Sequence, residues 1–371
     1  MAATAATTAT GVETATSTGG NAPVAPPTLA TIPGAGEKTG GSEIERRLAL
    51  PRFTYVGETD MDTAKYQQGA DPYSGAAAFI DSEADTLVAR PQAGSSLQDV
   101  AVSPDGRRVY MTDEYEPVLH VFDADSMKEI LTIALPGLKA RDPMALMKGL
   151  QDPEKTLMSY DLLGSLSGAV ACTPDGAWVL VGTSAGLQVV DTATDQVVRT
   201  LPDLDGGAVA VSFDGKRAYV SASSFGALAP RSYMDWLRTI MEDRNSRLVC
   251  IDLQTWQILK EIRTGVVASI AVKPDDSQVF FSETYEKRVR VVDALTLEDL
   301  WSVSTEPSFS IGLGIVPNGT KAYVVCSADN GVLQILEQRT VPTVPTAEDF
   351  FCGVIDTQRK EMVKRIPLEA Y

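Results

Sequence analysis

One octapeptide pattern recurs five times, as DVAVSPDG (99–106), AVACTPDG (169–176), AVAVSFDG (208–215), SIAVKPDD (269–276) and GLGIVPNG (312–319). Each copy runs straight into a second strand-like segment: RVYMT (108–112), WVLV (178–181), RAYVS (217–221), QVFFS (278–282) and KAYVV (321–325). An apolar strand ending in Asp, at Asp81, Asp123, Asp191, Asp252, Asp293 and Asp356, then opens a short turn into a final strand. Together these predict an all-β fold: a β-propeller of about six four-stranded antiparallel blades, or seven if a degenerate blade hides in an insertion.

Each part of the unit has a local reason. Pro pre-sets φ, Asp bonds its own backbone and Gly accepts positive φ, so the Pro-Asp-Gly end of the octapeptide is a hairpin turn. Strands converging on a central axis are crowded, and the third octapeptide residue is small throughout: Ala101, Ala171, Ala210, Ala271 and Gly314. Alternating Val, Ile, Tyr and Phe between turn clusters is the pattern of half-buried strands. The first unit (Phe53–Gly57, Ala76–Asp81, Thr86–Arg90) lacks an inner strand, which is expected from Ile44–Leu50 or from a strand after Met362.

The repeat is broken by insertions at 58–75, 135–166, 222–247 and 326–350, all between the second and third strands or between blades, and therefore all on one face of the disc. Insertions in repeat proteins map to the working face. Two are expected to be helical. Asp142 and Pro143 form an N-cap and N1 pair ahead of 144–150, and Ser232 caps 233–241, where Tyr233, Trp236, Leu237, Ile240 and Met241 share one side. Residues 1–42, rich in Ala, Thr, Gly and Pro, read as a disordered tail, leaving 43–371 for the propeller.

The strands resemble the YVTN-type β-propeller repeat family over roughly residues 50–371, through segments such as the Val109-Tyr110-Met111-Thr112 run. That family spans surface proteins, binding proteins and some enzymes. More loosely, a low-complexity arm before a first blade with a long loop resembles the propeller large subunit of quinone-cofactor amine dehydrogenases. That resemblance implies a partner chain that carries the redox cofactor.

A net charge of −17 and a pI near 4.5 repel a phosphate backbone, so nucleic acid is excluded as a partner. No apolar run is long enough for a transmembrane span. Without a signal-peptide pattern the chain reads as cytoplasmic as written, or as secreted or periplasmic if it is a mature form. The single histidine, His120, is expected to be structural, and one histidine leaves no Ser–His, Cys–His or multi-His site. No metal site and no cofactor on this chain are expected.

Candidate binding residues crowd the loop face: Asp113, Glu114, Tyr115 and Glu116 in one loop, Glu283 and Tyr285 in another, and Tyr233 and Trp236 on an inserted helix. Asp99, the one charged residue entering an inner strand, is the candidate acid or base. Cys326 and Cys352 sit at neighbouring strand ends and are expected to pair as a disulfide. The leading expectation is a binding-type propeller that takes a partner protein or a small ligand on its loop face. The alternatives are the propeller subunit of an amine-dehydrogenase-like oxidoreductase, or a stand-alone lyase-, cyclase- or lactonase-type enzyme with an acid and tyrosine funnel.

Overall fold

The computed structural model describes residues 53–61, 65, 73–81, 84, 86–140, 167–204, 206–222, 246–327 and 350–368. The named regular elements they make up are strands. A three-stranded sheet holds β1 (Phe53–Met61), β2 (Tyr73–Asp81) and β3 (Thr86–Ala89). The first blade follows with β4 (Leu97–Val102), β5 (Arg108–Asp113), β6 (Val118–Asp123) and β7 (Lys128–Ala134), and the second with β8 (Ser167–Cys172), β9 (Trp178–Thr183), β10 (Gly186–Asp191) and β11 (Gln196–Leu201). The third has β12 (Val209–Val211), β13 (Arg217–Ala222), β14 (Arg247–Asp252) and β15 (Ile258–Arg263), and the fourth β16 (Val267–Val272), β17 (Gln278–Glu283), β18 (Arg288–Asp293) and β19 (Asp299–Ser304). The fifth comprises β20 (Phe309–Ile315), β21 (Lys321–Ser327), β22 (Phe351–Asp356) and β23 (Glu361–Pro367). Every pairing is antiparallel between chain neighbours, and the inner strands β4, β8, β12, β16 and β20 pack on one another in turn.

The expected count of six or seven four-stranded blades with helical insertions is corrected: there are five such blades, and no helical element among the described residues. The remaining sheet falls short for an identifiable reason. In each sheet the outer strand carries one extra, bulged residue: Val88, Ile130, Val198, Leu259, Leu300 or Val363. That shared bulge makes β2 and β3 the third and outer strands of their sheet and β1 its second, so the missing member is the inner one. The segment after Met362 does not supply it, because β23 is the outer strand of the fifth blade. The other candidate, 44–50, lies outside the described residues, as do the two expected helices, Tyr233 and Trp236, and the tail at 1–42.

The core is a series of seams. Successive residues of a strand point to opposite faces, so the second strand of a blade serves both neighbours. Phe281 packs with Tyr219, Leu248 and Cys250 toward the third blade, while Phe280 packs with Ala322, Val324 and Ile355 toward the fifth. Burying a Phe side chain is worth about 1.5–3 kcal/mol, so each seam rests on several such residues.

The hairpin turns at the opposite end from the insertions are built as their residues dictate. Ser103 Oγ donates to Asp105 Oδ1 at 2.6 Å, Arg108 N donates to Ser103 Oγ at 2.9 Å, and Gly106 takes φ +74°. Across three seams, the Gly of one turn lies against the Pro of the preceding blade: Gly176 on Pro104, Gly215 on Pro174 and Gly319 on Pro274. At the fourth, both partners are exchanged together. Phe213 replaces the Pro and so regains an N–H, and Asp276, at φ +55°, replaces the Gly. The Asp276 carboxylate accepts from Phe213 N at 2.7 Å and from Asp214 N at 2.8 Å.

Candidate functional site

The loop face lies where second strands hand over to third strands. There β5 and β17 each end in a fully buried acid, Asp113 and Glu283. A buried carboxylate must be paired or heavily hydrogen-bonded, and the two solve this differently. Asp113 Oδ1 accepts from Tyr115 N (2.7 Å) and Glu116 N (2.8 Å), and Oδ2 accepts from Ser95 N (2.8 Å) and Ser96 N (2.9 Å). Glu283 instead accepts from Gly265 N at 3.0 Å, faces Arg290 Nη1 at 3.4 Å and is ion-paired with Arg288. Both acids thus anchor the linker that enters their blade.

Around Asp113 the sequence candidates come together. Glu114 Oε2 accepts from Gln98 Nε2 at 3.1 Å and from Ser96 Oγ at 3.3 Å, while Glu116 Oε1 accepts from Ser95 Oγ at 3.0 Å. Tyr115 is buried and stacked on Tyr73, with ring centroids 5.4 Å apart. Burial first, then the charge of Glu114, pushes its phenol far above the usual tyrosine range. Tyr285 belongs to a separate group on the fourth blade, edge-on to Phe309 at 5.6 Å. Burial likewise raises its phenol.

Asp99 lies on the bulged part of β4, and its Oδ2 accepts from Val170 N of the next blade at 2.8 Å. Burial raises its carboxyl above the ordinary carboxylate range, against the lowering effect of the Val170 and Val100 amides. Ser269 does the same work at the seam between the fourth and fifth blades: its Oγ accepts from Leu313 N at 3.1 Å. Asp99 therefore acts first as a tie between inner strands. A second set of residues was missed by sequence reasoning. Thr112, Ser221 and Ser282, all fifth in their second strands, accept through their hydroxyls from Asp99 N, Ala208 N and Ser269 N, at 3.2, 2.9 and 3.0 Å. They satisfy amides near the start of the inner strand, and the recurring hydroxyl after an aromatic-rich strand was the signal for them.

The Cys326–Cys352 disulfide is not formed. Cys326 stands opposite Phe351 and Cys352 opposite Val325, one residue out of step, so their side chains leave opposite faces of the sheet. Burial pushes the Cys326 thiol up to about 12 and raises that of Cys352. His120 is buried within the first blade, with Nδ1 2.7 Å from Glu129 Oε1. Among the described residues, no group of three or more His, Cys, Asp or Glu side chains is placed to hold a metal ion, and no helix is long and apolar enough to cross a membrane.

No family model and no curated protein matches the chain. Among solved structures, a chain of the hydrazine synthase of Kuenenia stuttgartiensis superposes with a TM-score of 0.50 at 14% identity, covering 87% of this chain and 97% of that one. What the two share is the β-propeller fold. The resemblance read from the sequence thereby narrows to that fold, without singling out the YVTN-type repeat.

Proposed function

We propose that this chain is a non-catalytic propeller subunit of a redox-enzyme assembly, holding a partner protein on its loop face while the partner carries the redox centre. The observation that carries this reading is how the loop-face acids are used. Asp113 is engaged by four backbone amides, and Glu283 by one amide and two arginines, so both serve the fold. The likeness in fold to a chain of a hydrazine synthase supports the assembly reading over a free-standing binding protein. The four long connections leave β1, β7, β13 and β21 on this face, at Met61, Ala134, Ala222 and Ser327, which supports it as the docking side. Glu114 and Glu116 beside the Tyr73–Tyr115 stack would give a basic partner surface its contacts.

Native mass spectrometry of the protein purified gently from its own source tests this. The expected result is a stoichiometric second chain with a visible-light-absorbing redox centre. A lone chain carrying a small-molecule adduct would overturn it. A second reading, an enzyme with Asp99 as base, is favoured by the raised carboxyl of that residue on an inner strand. In that case Asp99→Asn abolishes turnover, whereas a docking subunit keeps its partner.

A further inference from the structure

The first and fourth blades carry one three-residue arrangement with a single exchange at its centre. In the fourth, Arg290 lies between two acids, with Nη1 3.4 Å from Glu283 Oε1 and Nη2 2.9 Å from Asp299 Oδ2. The equivalent positions of the first blade hold Asp113, His120 and Glu129. Asp113 and Glu283 close their second strands, and His120 and Arg290 are third in their third strands. Glu129 and Asp299 each stand six residues beyond the strand-ending Asp123 and Asp293. His120 therefore occupies the seat of a permanent cation.

The geometry around the ring is that of a site built for charge. Its side chain is 3% exposed, between Glu129 Oε1, 2.7 Å from Nδ1, and Asp113 Oδ2, 3.9 Å from Nε2. With Nδ1–H donated to Glu129, Nε2 presents a bare lone pair toward a carboxylate oxygen, and Nε2 has no hydrogen-bond partner. The groups facing the ring are Asp113 from β5, Glu129 from β7 and the backbone of Gly94 from the linker, where a Cβ would fall 2.8 Å from Nε2. Two carboxylates attract an imidazolium and offer nothing to the lone pair.

We propose that His120 is a proton-operated latch for the loop face of the first blade. A proton from solvent adds to the Nε2 lone pair, and no other bond is made or broken. The new N–H turns toward Asp113 Oδ2 and draws it from 3.9 Å toward hydrogen-bond distance, about 3 Å. Asp113 cannot move alone, because its two oxygens hold Ser95, Ser96, Tyr115 and Glu116 by their amides. Proton uptake is thus transmitted to both segments that carry the acidic and tyrosine candidates. The repeat supplies its own controls: Arg290 is the latch always closed, and Gln188, third in β10 and donating to Pro136 O at 2.8 Å, is the neutral version. A regulatory effect on partner docking rests on the proposed function, whereas the titration itself does not.

His120 is the only histidine in the chain, so one labelled-histidine resonance reports it without assignment. The experiment follows that resonance and the amide signals of Ser95, Ser96, Tyr115 and Glu116 in the wild-type chain from mildly alkaline to mildly acidic pH. The expected result is one single-proton curve shared by the ring and all four amides, lost from the amides in His120→Gln and replaced by pH-independent positions in His120→Arg. A ring that titrates while the amides stay still would overturn the latch. So would a ring that does not titrate while the fold persists. Both outcomes are read in the wild-type protein, whether or not the variants fold.

Discussion

The first and fourth blades bury an acid at the loop end of the second strand, where the second blade has Thr183 and the third Ala222. In the first blade the charge is spread over four amides that bring no countercharge. In the fourth, two arginines supply cations, and one of them, Arg288, is 41% exposed. Neutral dipoles fixed by a loop hold that loop to the acid, since the loop has no other way to satisfy them. An exposed cation at the rim, such as Arg288, can rehydrate instead. The first blade has therefore made two loop segments depend on one carboxylate, whereas the fourth ties a single loop amide to its acid.

Removing the acids breaks this comparison if it is wrong. Asp113→Ala strands four amides and should lower stability by about 3–5 kcal/mol in urea unfolding, with the largest loss of amide protection at 95–96 and 115–116. Glu283→Ala should lower it less, by about 1–3 kcal/mol, because Arg288 turns to solvent and Arg290 keeps Asp299. Equal losses in the two variants would mean that the source of neutralisation does not matter.

The smallest effect is one of sign. The Asp99 carboxyl is raised by burial, so its contribution is complete below the ordinary carboxylate value, about 4, and is lost as pH rises through its higher folded value. Turn-face Asp293 is the opposite case. The amides of Thr296 and Leu295 and the Thr296 hydroxyl lower its carboxyl, so its contribution is present above the ordinary value and is lost as pH falls through the folded one. Asp99→Asn keeps an acceptor for Val170 N and should match or exceed wild-type stability at neutral pH, losing that advantage in acid. Asp293→Asn should be less stable than wild type at neutral pH and converge with it in acid. Identical pH profiles for the two variants would remove the distinction.

Much of the fold was legible because the turns declare themselves: Pro104-Asp105-Gly106 and its copies fix where each hairpin reverses, and the Asp-terminated strands fix the next reversal. The blade count was less so. The short first unit advertises three strands without an inner one, and among the described residues pairing supplies none. Phe213 and Asp276 look in the sequence like two unrelated departures from Pro and Gly. They become one feature when adjacent turns are seen to touch, because sequence order does not reveal which residues of neighbouring blades meet. The site was hardest for the same reason. Asp113 and Glu283 are acidic and loop-proximal, which reads as solvent-facing, and nothing local announces that a linker some 18 residues upstream closes over each of them.

The bulged residue on each outer strand has a consequence for how the molecule meets its surroundings. Val88, Ile130, Val198, Leu259, Leu300 and Val363 are 42–53% exposed aliphatics within strands whose far side has no partner strand among the described residues. A straight, apolar border of that kind would be a template on which another protein's backbone could extend the sheet. One surplus residue per border throws the row of amides and carbonyls out of phase and coils the strand locally. The disc can thus expose a ring of greasy knobs at high protein concentration and still resist being zipped to its own kind.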